Sequence, residues 1–206
     1  MSNDVNMWAY EQKHRELGCE FICGCDEAGA GPLAGPVYAA AVILPFGVDI
    51  PGLNDSKKLT EKKREQLFPV IQEAAIAWSV ARVEPEEIDA TDILSARMKA
   101  MQLAIDALGI QPQMALIDGN RDKGRHASIL TPHELIIKGD GLSASIAAAS
   151  VLAKVSRDHC CMEEMAVAYP QYRFEKHKGY PTQLHYDLLR QYGPSPIHRR
   201  TFLKNL

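Results

Sequence analysis

Nothing in this chain stays apolar long enough to cross a bilayer. Its longest apolar runs, residues 37–45 and 145–153, fall well short of the roughly 20 residues that a membrane helix needs, so no membrane partner is expected. The opening stretch MSNDVNMWAYEQKH carries acids and amides where a secretion signal would place basic residues followed by an apolar core, and a cytoplasmic location is the expectation. Cysteine is sparse and odd in number, five in 206 residues, with no CxxC pair. That argues against a disulfide framework and against a thiolate zinc site. Cys23 and Cys25 lie in a strand pattern and Cys160 and Cys161 in a helical one, so buried thiols are expected. A large charge of one sign is missing too: the net charge is -3, which excludes a strongly basic coat for nucleic acid. It does not exclude a nucleic-acid partner, because basic residues cluster locally at Lys57-Lys58, Lys62-Lys63-Arg64, Lys176-His177-Lys178 and His198-Arg199-Arg200. Taken singly, each cluster reads as a solvated face.

What is present is the composition of a globular domain, 46% hydrophobic and 24% charged, with no low-complexity run. The length suits one domain over residues 1–206, with a monomer as the default. Propensity suggests a helix over 8–17, and a short apolar strand at 21–25 ends at Asp26. A second strand at 37–44 is rich in Val, Ile and Ala and closed by Pro45, so two strands flank a glycine turn as a hairpin. Thr60 heads a capped amphipathic helix over 61–77, with Leu67, Val70, Ile71 and Ala74 on one face. The pattern continues with a strand at 78–83, a helix over 85–108 that ends near Gly109, and strands at 114–117 and 134–137. A long Ala-rich helix runs from 143 to about 168, stopped before Pro170, and another lies near 183–191. Strands alternating with helices, the first pair antiparallel, predict an α/β fold with a mixed sheet.

The stretch CGCDEAGAGP sets Asp26 and Glu27 at the end of an apolar strand, directly before a glycine turn. Asp118 in LIDGN and Asp140 in KGDG occupy equivalent places after the strands at 114–117 and 134–137. Asp-Gly is common turn chemistry, but three strand ends carrying acids beside glycine, which permits close approach, is where α/β sheets build sites. If those strands are neighbours the carboxylates converge. Oxygen donors without His or Cys suit Mg²⁺ or Mn²⁺, and a pair of such ions suits phosphodiester hydrolysis. Gly29-Ala30-Gly31 superficially resembles a dinucleotide-binding loop, but that loop needs a helix next. Here Pro32, Pro36 and the β-branched run to Ile43 give a strand, and the acids would repel a pyrophosphate.

The segments CDEAGAGPLAGPVYAAAVIL, GLNDSKKL, LIDGN, KGDGLSASIAAASVLAKVSRD, YPQYRFEKHKGYPT and SPIHRRTF follow one another between residues 19 and 202. In this set and order the chain resembles bacterial ribonuclease HII. The resemblance implies a ribonuclease H-like mixed central sheet flanked by helices, with a catalytic core of about 1–168 and a helical, substrate-binding segment of about 169–206. It implies an endoribonuclease that hydrolyses the RNA strand of RNA–DNA hybrids and nicks 5′ of ribonucleotides embedded in duplex DNA. Two divalent ions, Mg²⁺ or Mn²⁺, would be held by Asp26, Glu27, Asp118 and Asp140, and the products would carry 5′-phosphate and 3′-hydroxyl ends. A replication clamp is a further candidate partner.

Such an enzyme must detect the 2′-hydroxyl. In the family this falls to a Gly-Arg-Gly turn and a tyrosine, which correspond here to Gly29, Ala30, Gly31 and Tyr180. Asn54, Ser56 and Lys57 resemble a phosphate-contacting loop, and Lys138, Ser143 and Arg157 resemble supporting residues. His177, His198 and Arg199 are candidates for contact with the DNA strand, or else a solvated basic tail. Ala30 departs from the family's arginine and so lacks a cationic donor for phosphate. Weaker binding or altered junction preference is the expectation. The alternative is a catalytically weakened hybrid-binding protein, against which four acids facing phosphates speak.

Overall fold

The computed structural model describes residues 6–54, 56 and 58–204, so the expectation for Lys57 lies outside the described residues. Helix α1 (Ala9–Glu16) precedes strand β1 (Ile22–Ala28), and β1 pairs antiparallel with β2 (Val37–Ile43), Asp26 standing opposite Ala40. This is the hairpin expected around the glycine turn. Helix α2 (Glu61–Ala74) begins where the Thr60 side chain accepts from the Lys63 N–H, as an N-cap should. It stops short of residue 77 because Ala77 already starts β3 (Ala77–Val83), which pairs antiparallel with β2. Strand β4 (Met114–Asp118) runs parallel to β1, and β5 (His133–Ile136) runs parallel to β4. The mixed sheet therefore has the order β3-β2-β1-β4-β5.

The single helix expected over 85–108 is two, α3 (Pro85–Ala90) and α4 (Ile93–Asp106). The break is side-chain chemistry: Asp92 accepts from the backbone N–H and the hydroxyl of Ser95, at 2.8 and 2.7 Å, and caps α4. Such local acceptors compete with the helix's own hydrogen bonds. The long Ala-rich helix forms as α5 (Ala144–His159), widens into a π turn over Cys160–Met165, and closes with α6 (Ala166–Ala168).

Successive residues of a strand face opposite sides of the sheet. Cys23, Cys25, Ala39 and Ala41 accordingly pack with Met98 and Met101 of α4, while Ala40 and Val42 pack with Ala148 and Leu152 of α5. Helix α5 lies against the sheet so closely that a Cβ at Gly24 would collide with the Ser145 backbone. All five cysteines are free, and burial pushes the Cys23 thiol up to about 12, which makes it inert. Among the described residues no helix is long and apolar enough to cross a membrane.

The C-terminal segment carries α7 (Phe174–His177) and α8 (Gln183–Tyr192). It is stitched to the chain after β1: Leu33 N–H donates to the Gly179 carbonyl, Gly35 N–H to Ile197, and Arg199 N–H to Leu33, all at 2.8–2.9 Å. One expectation fails in this region. His177, His198 and Arg199, read as DNA-touching or solvated, are 6%, 1% and 0% exposed. Their charge or polarity is spent on hydrogen bonds inside the protein.

Candidate metal centre and substrate pocket

Asp26 projects from β1, Asp118 is the last residue of the neighbouring parallel strand β4, and Asp140 sits in a 3₁₀ turn (Gly139–Gly141) that follows β5. Each offers a carboxylate oxygen, and these oxygens lie within 4.8 Å of one another. Asp26 and Asp140 are buried, while Asp118 is half-buried. Two backbone donors orient the group: Glu27 N–H donates to Asp26 Oδ1 and Gly139 N–H to Asp118 Oδ1, each at 2.7 Å. The second bond ties the end of β4 to the turn that carries Asp140. Exposed Lys138, expected to support the site, is the left-handed residue (φ 58°) that makes this turn.

Glu27 is not among the three mutually close acids. Its carboxylate meets Arg97 of α4, Nη2 to Oε1 at 2.6 Å. Sequence reasoning missed Arg97, which stands beside a second cation, Lys99, in the stretch ILSARMKAM and carries no signal there that sets it apart.

Above the acids opens a cavity of about 260 Å³, lined by Asp26, Glu27, Asp118, the turn 28–31, Ser56 and Tyr180 among others. Lys154 and Arg64, not anticipated, also line it. Ser56 is buried and bonded to Ser150 across the cavity wall, and Arg64 holds the same loop through the carbonyls of Ser56 and Leu59. Asn54, exposed, does not line the cavity.

The glycine turn is fixed from beneath. Arg199 donates to three carbonyls: Nη2 to Gly29 at 2.7 Å, Nη1 to Ala30 at 3.0 Å, and Nε to Gly35 at 2.9 Å. Gly29 has φ 94° and lies so near Arg157 that a Cβ there would strike the guanidinium, so glycine is required on both counts. Arg157, expected as a supporting residue, is buried, donates to the Lys178 carbonyl at 2.9 Å, and stands 5.3 Å from the centre of the Tyr180 ring. Lys154 stands 5.8 Å from that ring, and both approaches are of cation–π type. Tyr180, 38% exposed, faces the turn, its Cε1 lying 4.0 Å from where a Gly31 Cβ would be. Lys154 and Lys178 both pair with buried Asp158, at 2.7 and 2.9 Å. Burial alone would raise that carboxyl, but the two lysines hold it below the usual range. Ser143, the other expected support, is fully buried; its hydroxyl caps α5 and donates to Glu11 Oε1 at 2.6 Å.

The family model described as Ribonuclease HII matches residues 23–205. The chain belongs to the ribonuclease HII family. A ribonuclease HII from Caldicellulosiruptor bescii is 50% identical over 206 residues, which cover 100% of this chain and 98% of that one. The crystal structure of ribonuclease H2 from Pyrococcus horikoshii superposes with a TM-score of 0.72 at 29% identity, covering 88% of this chain and 93% of that one. The ribonuclease HII of the Archaeoglobus fulgidus PCNA complex gives 0.70 at 25% identity, covering 87% and 93%. The ribonuclease H-like sheet and its flanking helices are thus those of the family.

Proposed function

We propose that this ribonuclease HII family member nicks duplex DNA on the 5′ side of an embedded ribonucleotide, as well as cutting the RNA strand of RNA–DNA hybrids, at the cavity lined by Asp26 and Asp118 with the buried Asp140 carboxylate beside them. It is a hydrolase and endonuclease of the ribonuclease H kind that acts on RNA–DNA hybrids. The junction nick, the product ends and the residue roles are our reading. The observation that carries it is the convergence of three carboxylates within 4.8 Å, beneath a rim that presents both the glycine turn and Tyr180.

The donor set fits a hard divalent cation, being all oxygen and without His or Cys. Asp26, Asp118 and Asp140 would hold Mg²⁺ or Mn²⁺, with Glu27 at the edge of the same cavity, and we read the site as one for two ions. When bound, such ions polarise the phosphodiester and activate water, leaving a 5′-phosphate and a 3′-hydroxyl. The remaining work falls to the chain itself. The carbonyls of Gly29 and Ala30 are turned inward to Arg199, so the outer face of the turn, bare of side chain at exposed Gly31, admits a nucleotide closely. Tyr180 packs against the ribose and senses its 2′-hydroxyl. Lys154 and Arg64 supply positive charge to the phosphates. Ser56, Asn54 and Lys57 are assigned to phosphate contact on the family resemblance alone. Ala30 removes a donor but not the turn, whose shape Arg199 sets.

A monomer is part of the same proposal. A sliding clamp is proposed as a partner only on the likeness to the Archaeoglobus fulgidus protein.

Cleavage of two labelled duplexes, one with a single embedded ribonucleotide and one of DNA alone, tests the reading, each with Mg²⁺, Mn²⁺ or chelator. A nick beside the ribonucleotide alone, abolished by chelator, is expected. No nick under any metal would leave a hybrid-binding protein, and Ala30→Arg would then show whether position 30 disabled it.

A further inference from the structure

Three histidines lie buried beside Tyr180, and the chemistry above uses none of them. His177, His185 and His198 are 6%, 0% and 1% exposed. The rings of His177 and His185 stack with centroids 4.2 Å apart, and Phe174 meets both edge-on.

Their hydrogen bonds leave one arrangement of protons. The backbone N–H of Ser195 donates to His198 Nδ1 at 2.9 Å, so that nitrogen bears no proton and the neutral ring carries its hydrogen on Nε2. That hydrogen faces His185 Nε2, 3.0 Å away, which must therefore accept. His185 is then protonated on Nδ1, and Nδ1 donates to the Tyr180 carbonyl at 3.0 Å. His177 is ordered in the same sense: Gly179 N–H donates to its Nδ1 at 3.2 Å, and its Nε2 donates to the Tyr172 carbonyl at 2.8 Å. Burial keeps both members of the central pair neutral, pushing His185 down to about 4 and His198 down to about 3. The far end of this chain is anchored too. His198 bridges to Ala34, and the next residue, Arg199, grips the carbonyls of the glycine turn.

We propose that His185 and His198 are positioning residues for substrate recognition: the directed chain from Ser195 N–H through His198 and His185 to the Tyr180 carbonyl fixes Tyr180 opposite Gly31, in register with the glycine turn. The proposal rests on the reading of Tyr180 as the residue that meets the ribose. A pair of histidines filling core volume would not need a single proton order. It would also not act through Tyr180.

Single-turnover cleavage of the one-ribonucleotide duplex is measured for Tyr180→Ala, His185→Gln, His198→Gln and the double variant of Tyr180 and His185. Loss of one oriented hydrogen bond is expected to lower kcat/KM about tenfold in each histidine variant, through KM. It should add nothing on top of Tyr180→Ala, because residues acting through one another couple. Losses that multiply, with Tyr180→Ala itself impaired, would overturn the histidine proposal alone. Wild-type cleavage by Tyr180→Ala would overturn the reading of Tyr180 and the proposal with it. Should His185→Gln fail to fold, His198→Gln breaks the chain one step further from Tyr180. Independently, ¹⁵N shifts of the wild-type imidazoles at pH 7 should show His185 protonated on Nδ1 and His198 on Nε2. The opposite tautomers, or an imidazolium at either position, would refute the chain.

Discussion

Replacing Asp118 with Asn should make the metal-free protein more stable while destroying its activity. The oxygens of Asp26, Asp118 and Asp140 lie within 4.8 Å of one another, and two unit charges at that separation repel by about 3.5 kcal/mol at an effective dielectric of roughly 20. Asp118 faces two such neighbours, but it is half-buried and screened by water, so about 1–2 kcal/mol is a fair share to be relieved. The amide keeps the oxygen that accepts from Gly139 N–H at 2.7 Å, so that hydrogen bond need not be lost in exchange. For a chain of this size 1 kcal/mol moves Tm by about 2–4 °C, and the variant should melt roughly 2–8 °C above wild type in EDTA. With Mn²⁺ the order reverses. Wild type gains about 2.7 kcal/mol at a hundredfold excess over Kd, whereas the variant has lost a ligand and gains far less. Scanning fluorimetry with EDTA and with Mn²⁺, beside the cleavage assay, reads all three effects. A variant less stable than wild type in EDTA, with an equal Mn²⁺-induced shift and retained cleavage, would refute both the repulsion and the metal assignment.

Gly29→Ala should raise KM for the ribonucleotide duplex and lower Tm by several degrees. It places a Cβ at φ 94° against Arg157, and the left-handed conformation alone costs roughly 1–2 kcal/mol; unchanged KM would show that the turn does not meet substrate. Stability should also fall on acidification below about pH 6.5, where unfolded histidines take up protons while His185 and His198 resist to about 4 and 3. The unfolded state binds more protons in that window, so each histidine contributes a slope of about 1.4 kcal/mol per pH unit. Urea unfolding at pH 7 and pH 5 should show a shallower slope in His198→Gln.

The sheet and the acids were legible because both rest on local pattern. An apolar run that reaches an acid shortly before a glycine marks where a strand nears its turn, although β1 itself runs on through Asp26 to Ala28, and once β1 and β4 pair in parallel with Cys25 opposite Ile117 the next residues, Asp26 and Asp118, have little choice but to meet. What was not legible depended on partners far away in the chain. The cluster His198-Arg199-Arg200 reads as solvated because charge is a property of single residues. That the carbonyls of Gly29, Ala30 and Gly35 wait for the Arg199 guanidinium is a property of the fold. The same holds for Glu27, whose partner Arg97 sits on a helix one layer away, and for the break before α4, where one capping aspartate overrode a continuous helical pattern.

Ala30 shows how these two kinds of information combine. From sequence, an alanine where the family resemblance implies an arginine leads to the expectation of weaker binding or an altered junction preference. In the fold, the backbone at 29–30 is held by Arg199 from below, packed by Arg157 at Gly29 and faced by Tyr180 at Gly31. None of those contacts uses the side chain at 30. The turn's conformation is therefore decoupled from residue 30, and on the function proposed above that position would change how tightly a phosphate is held without changing where the ribose is read. On this argument Ala30→Arg should strengthen binding and steepen its salt dependence by about one phosphate contact, while the choice of cleavage position stays as it is in the wild type.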